Sequence, residues 1–307
     1  MRYDKPALTV AQQMALLRSR GLVISDEPSA GHWLLHVNYF RLRGYWLPFE
    51  QAYAPGGEHI FRPGTTFEQV ISRYTFDRQL RLLVLDAIER LEVSLRANWA
   101  HALALTHGPH AYEAPGLFAD QRRHARCLDD LDEELRRSKE TFVVHYRRHY
   151  TQPARPPVWA ACELMTLGQL SKWLGNLRLR QDRRAVAEPY GLDERVLCSF
   201  AHHLSYVRNL CAHHARLYNR AFTLTVKLPQ RPALLAASLN PRAPRQLYNT
   251  LALSQYLMAV VSPGHSWTRR LRELLRHHPD VNPGEMGFPD DWTSRPLWTG
   301  SPRVLAR

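Results

Sequence analysis

Along most of the chain apolar residues return every third or fourth position, the pattern of amphipathic helices. The clearest run is Phe76, Leu80, Leu83, Val84, Ala87, Ile88, Leu91 and Leu95. It predicts one long helix from about residue 67 to beyond residue 100, opened by a capping box at Thr65-Thr66-Phe67-Glu68. Asp77, Arg78, Arg81, Glu89, Arg90, Glu92 and Arg96 fall on the opposite side and are expected to face solvent. Ahead of it, Thr9-Val10-Ala11-Gln12 predicts a capped helix ending at Gly21, and a short helix follows over 29–37. Pro55, Gly56, Gly57, Pro63 and Gly64 mark 53–64 as a loop or small hairpin.

Downstream, 122–139 is helical and highly charged, and Pro153, Pro156 and Pro157 break the pattern. Short helices are predicted at 159–164, 168–177 and 182–188. A stronger one starts at Leu192 with Asp193 as N-cap, and its stripe is Val196, Leu197, Phe200, Leu204, Val207 and Cys211. Two more cover 246–261 and 266–276, and a proline-rich tail from His277 carries Met286, Phe288, Trp292, Leu297 and Trp298, which suggest packing. No β-α-β alternation is present. The expected fold is all-α, with an N-terminal helical extension (1–64), a helical domain (65–276) and a packed irregular tail (277–307).

Charge narrows the partners. Of 307 residues, 41 are Lys or Arg and 28 Asp or Glu, a formal balance of +13 with 16 histidines outside the count. With hydrophobic content of 45% the chain is globular rather than a basic tail, and such an excess favours polyanions, nucleic acid or an anionic surface. The longest apolar run, 251–261, is too short to span a bilayer, and MRYDKPALTV has no apolar signal core. Cys127, Cys162, Cys198 and Cys211 are scattered without a C-x-x-C pair and read as reduced thiols of a cytoplasmic protein, so structural zinc is not expected. No dinucleotide fingerprint, phosphate loop, zinc-protease helix or serine-hydrolase elbow occurs, so neither metal nor cofactor is expected.

The densest chemistry lies in 208–220, where Arg208, Asn209, His213, His214, Arg216, Asn219 and Arg220 crowd a helix and its exit. Arginine matches a phosphate with a fixed fork of donors, and histidine moves protons near neutral pH. Together they suffice for RNA cleavage: an imidazole deprotonates the ribose 2′-OH, guanidinium charge stabilises the transition state, and a proton reaches the 5′-oxygen. On an ideal helix Asn209 and His213 share a face, while Arg208 and His213 stand roughly 140° apart. Acid–base cleavage wants two proton-handling groups, which a symmetric dimer would supply. The same residues also read as a solvated basic face. His214, seven residues after Val207, falls on the apolar line and reads as structural.

Other basic groups read as binding. Arg41 and Arg43 interleave with Tyr39, Phe40, Tyr45 and Trp46, a mixture that either stacks bases or packs against the bundle. Arg178, Arg180, Arg183 and Arg184 form a second cluster, either a solvated face or an RNA path.

These motifs carry a family likeness. Arg208, Asn209 and His213 form an R-N-x-x-x-H signature, followed by His214, Arg216, Leu217, Tyr218, Asn219 and Arg220. With Asn38–Leu42 and Tyr45–Phe49, Phe76–Arg81 and Ile88–Glu92, Pro157–Trp159 and Met286–Pro289, the chain resembles abortive-infection proteins of the AbiD/AbiF type, which are similar to the HEPN superfamily of helical ribonucleases. The resemblance implies a HEPN-like bundle and a metal-independent endoribonuclease of a phage-defence or toxin–antitoxin system, active as a homodimer. It also implies Arg208 and His213 as the catalytic pair, with Asn209 supporting and Glu89 or Glu92 holding Arg208. An equal reading of Glu92 is an intrahelical pair with Arg96. RNA is the expected partner, contacted by Arg41, Arg43, Arg178, Arg180, Arg183, Arg184, Arg216, Tyr218, Asn219 and Arg220, and a small RNA or antitoxin is a further possible one. The rivals are a non-catalytic RNA-binding protein using the same surface, and a metal enzyme built on His202, His203, His213 and His214.

Overall fold

The computed structural model describes residues 6–51 and 59–299. They form α1 (Val10–Ser19), α2 (Glu27–Val37), α3 (Tyr39–Trp46), α4 (Phe67–His107), α5 (Gln121–Arg137), α6 (Thr141–His149), α7 (Val158–Ala161), α8 (Leu167–Asn176), α9 (Arg180–Ala187), α10 (Glu194–Ala212), α11 (Ala233–Ser238), α12 (Tyr248–Val261), α13 (Trp267–His277) and α14 (Pro296–Thr299). Extended pairing among the described residues is confined to isolated bridges, so the fold is all-α. Contacts divide the chain into two compact units: Met1–Leu80 with Arg272–Asn282, and Arg81–Leu271 with Pro283–Arg307. The division falls inside α4 rather than at 64, because Phe67 and Val70 belong to the N-terminal core.

In the N-terminal unit, α1 opens with the expected Thr9–Gln12 capping box, and Gly21 takes φ +89 just past its end. Asp26 caps α2, starting it two residues earlier than the apolar pattern predicts. Leu17, Leu34, Leu42, Tyr45, Trp46, Phe61, Phe67 and Val70 form the core. The predicted loop at 53–64 lies partly outside the described residues; its flanks pair antiparallel, Gln51 N to Ile60 O at 2.8 Å and Arg62 N to Phe49 O at 2.9 Å. The capping box of α4 is shifted by one residue from the predicted position: Thr66 Oγ1 accepts from Gln69 N, and Thr66 N donates to Gln69 Oε1. Ser72 donates to Asp280 at 3.1 Å, and the His278 ring meets Phe76 edge-on.

In the second unit the predicted stripe of α4 is buried from Leu83 to Leu95. Its polar side is not uniformly solvated: Asp77, in the N-terminal unit, is 0% exposed and Arg81 5%, against the expectation from periodicity. α8 packs against α10 and α5, with Trp173 at the centre of an aromatic cluster of Trp99, Tyr112 and Phe118. α12 is buried on every side from Tyr248 to Ala259, its polar Ser254 and Gln255 included, so it shows no amphipathic stripe. Asn249, one of its buried polar residues, is matched by Asn240. The tail packs as expected, Trp298 Nε1 donating to the Tyr248 hydroxyl at 2.9 Å. No helix among the described residues is long and apolar enough to cross a membrane.

Candidate functional site

Asp193 caps α10 as predicted, its carboxylate accepting from Arg195 N. Every member of the predicted stripe, from Val196 to Cys211, is buried, which fixes the helix against the core and turns Arg208 and Asn209 away from it. The helix ends at Ala212. His213 is the C-cap, its N–H donating to Asn209 O at 2.9 Å. His214 N donates to Cys211 O and Ala215 N to Leu210 O at 2.8 Å, the double closure of a Schellman motif. That motif requires a left-handed residue, and His214 takes it with φ 57. This corrects the expectation from spacing: the chain has left the helix at His214, so the residue is exposed instead of continuing the apolar line.

The four polar residues therefore gather at one helix end. Arg208 is half-buried and its Nη1 donates to the Asn209 side-chain amide oxygen Oδ1 at 3.4 Å, while Asn209 and His213 are exposed. Arg208 borders a cleft of about 430 Å³ whose other wall is α4, with Glu89, Glu92, Val93 and Arg96. Glu92 pairs with Arg96, which also donates to Met165 O at 2.7 Å, so the intrahelical reading of Glu92 is realised. Arg208 makes no ion pair within 4.0 Å among the described residues, so neither Glu89 nor Glu92 grips it directly. Burial pushes the Glu92 carboxyl above the ordinary carboxylate range, against the pull of the Arg96 and Arg208 guanidiniums and with the help of Glu89.

The residues that follow are engaged inward. Tyr218 is 1% exposed, so its ring is not presented to RNA. Arg220 reaches Arg216 O at 3.5 Å and faces Tyr206. Burial alone would raise the Tyr206 phenol, but hydrogen bonds from Thr223 and Arg220 leave it below its ordinary value. Asn219 occupies a second left-handed position, φ 48. Tyr206 escaped the sequence reading because its position on α10 carries no signal of what the loop beyond Asn219 brings back to it.

The other predicted clusters divide. Arg180, though exposed, donates to the buried Glu194 at 2.8 Å, and half-buried Arg183 bonds the Leu177 and Arg178 carbonyls; Arg178 and Arg184 are exposed. Tyr45 and Trp46 are core, as the packing alternative had it, whereas Phe40 is 79% exposed and Arg41 is exposed. A groove of about 810 Å³ between α5, α8 and α10, bordered by Arg123, Arg126, Lys172, Cys198 and His202, was not foreseen, because its cations are far apart in sequence.

His203 is a satisfied core residue. Its Nδ1–H donates to Leu224 O at 2.9 Å, so Nε2 accepts from the Thr250 hydroxyl at 2.7 Å. Burial lowers its pKa to about 4. With both nitrogens occupied, it cannot join His202, His213 and His214 as a ligand, and no cluster of three or more metal-ligating side chains occurs among the described residues. All four cysteines are thiols, and burial pushes Cys198 up to about 11 and Cys162 up to about 12, which makes them poor nucleophiles.

An all-α chain with an Arg–Asn–His corner at the end of a core helix is the class these observations define. The chain belongs to the Abi-like protein family, whose model matches residues 32–219. The match takes in α3, α4 and the Arg208–Asn219 corner; Met286–Pro289 lies beyond it. Membership associates the chain with abortive infection. Comparison with curated proteins and with solved structures returns no match.

Proposed function

We propose that the chain is a metal-independent endoribonuclease of abortive infection, of the HEPN type, acting as a homodimer. The observation that carries the reading is the C-terminal corner of α10, where half-buried Arg208, exposed Asn209 and the capping His213 stand together. His213 takes the proton of a ribose 2′-OH, and the oxygen attacks the adjacent phosphorus. Arg208 neutralises charge on the phosphoryl oxygens, and a second histidine protonates the departing 5′-oxygen. The products are a 2′,3′-cyclic phosphate and a 5′-hydroxyl. His213 of a second copy, or His214, supplies the second proton.

The test compares wild type with His213→Ala and Arg208→Ala, each first shown to be folded, on cellular RNA in excess EDTA. Cyclic-phosphate ends from wild type alone support the reading. Equal cleavage by His213→Ala removes it. The +13 balance favours a second reading, a non-catalytic RNA-binding protein. Tight, salt-sensitive binding by all three proteins without any cleavage would select it.

A further inference from the structure

The N-terminal unit holds a cavity of about 580 Å³, bordered by Gln13, Arg20, Tyr39, Phe40, Arg43 and His59. That size falls within the range of small-ligand sites. Among the described residues no Asp or Glu borders it, so the two guanidiniums set its potential.

Both guanidiniums are held. Arg20 Nη1 donates to the Tyr39 hydroxyl at 2.9 Å, and the Tyr39 ring meets Trp46 edge-on at 4.9 Å, so the pair is anchored to the core. On the other side Glu50 is 6% exposed and accepts from His59 Nδ1–H at 2.7 Å. That bond fixes the tautomer, so His59 Nε2 accepts from Arg43 Nη2 at 3.2 Å. A buried carboxylate thus orients an imidazole, which orients a guanidinium whose remaining donors stay available to a ligand.

Beside these cations Phe40 is 79% exposed. It is the second residue of α3, where Asn38, at φ 80, caps Phe40 N at 2.8 Å. A non-glycine residue held in left-handed backbone costs about 1 kcal/mol or more, and here it sets the start of α3 at the rim of the cavity. Two oriented guanidiniums beside an uncovered phenyl ring match a ligand that is anionic at one end and a flat ring at the other.

We propose that this cavity binds a nucleoside monophosphate, free or as the 5′-phosphorylated end of an RNA, with the phosphate on Arg20 and Arg43 and the base against Phe40. The site lies wholly within the N-terminal unit and does not depend on the reading of Arg208 and His213.

The experiment titrates the full chain with 5′-AMP, a 5′-phosphorylated RNA hexamer, the same hexamer with a 5′-hydroxyl, and inorganic phosphate. Arg43→Gln, Arg20→Gln and Phe40→Ala are measured beside Arg78→Gln, an exposed α4 residue that controls for lost charge. Saturable binding of 5′-AMP or of the phosphorylated hexamer is expected, weakened about tenfold or more by each cavity variant and unchanged by Arg78→Gln. If 5′-AMP binds, the ligand is a free nucleotide; if only the phosphorylated hexamer binds, it is an RNA end. Phe40→Ala removes an exposed ring and keeps the test valid should an arginine variant fail to fold. The proposal is overturned if neither phosphorylated ligand saturates. It is equally overturned if phosphate binds as tightly as 5′-AMP, or if Arg43→Gln and Phe40→Ala leave affinity intact.

Discussion

The Tyr45 hydroxyl donates to Asp77 Oδ2 at 2.7 Å, with Tyr45 2% exposed and Asp77 0%. A buried carboxylate depends on its donors, because losing one leaves desolvated charge without compensation. Tyr45→Phe removes that donor and keeps the ring. It is expected to lower unfolding free energy by about 1–3 kcal/mol. Urea melts would show it, and a change below a few tenths of a kcal/mol would mean that Asp77 is adequately served without Tyr45.

His203 makes stability depend on mildly acidic pH. Its folded pKa is about 4, below the ordinary 6.5, so between those values the unfolded chain holds a proton that the native chain refuses. The native state is therefore favoured above pH 6.5, loses ground as pH falls from 6.5 to about 4, and loses no more from this group below that. The full span is worth about 3 kcal/mol. Stability profiles of wild type and His203→Gln over this range should differ in slope, and parallel profiles would contradict the assignment.

The left-handed His214 predicts a gain. Glycine takes φ 57 without the Cβ clash that a side chain suffers, so His214→Gly is expected to hold or raise stability by up to about 1 kcal/mol. If the same variant loses RNA cleavage while melting no lower, His214 serves chemistry. A melting temperature lowered by several degrees would mean that its side chain supports the fold.

Gly287 predicts the reverse. Its φ is +84, and a Cβ there would lie 2.8 Å from Gln246 Cβ and 3.0 Å from Ala243 Cβ. Gly287→Ala combines backbone strain with overpacking and should destabilise by about 2–4 kcal/mol. A melt indistinguishable from wild type would show that the tail backs away from Gln246 without penalty.

Helical period made the long helices legible, because the α4 and α10 stripes are the core itself. It could not say what lies over the polar side: Asp77 reads as solvated until Tyr45 is found beside it. α6 was missed because a short helix rich in Arg and His, with Val143 its buried residue, offers hardly any stripe to detect. At the site, Arg208, Asn209 and His213 were legible as a motif, while the change of backbone at His214 was not. A histidine in the left-handed position of a Schellman motif has none of the sequence signal that a glycine there would carry. The roles of Tyr206, Arg220 and His59 depend on residues 9 or more positions away, such as Glu50 for His59, and only the folded chain brings these together.

The pairing of Ser72 with Asp280, and of Phe76 with His278, has a consequence during synthesis. About 200 residues separate the two sides, so a ribosome adding roughly 5–20 residues per second needs roughly 10–40 s between them. For that interval Phe76 waits for the ring that will cover it. The N-terminal unit is begun before the second unit and closed only after most of the second has been made.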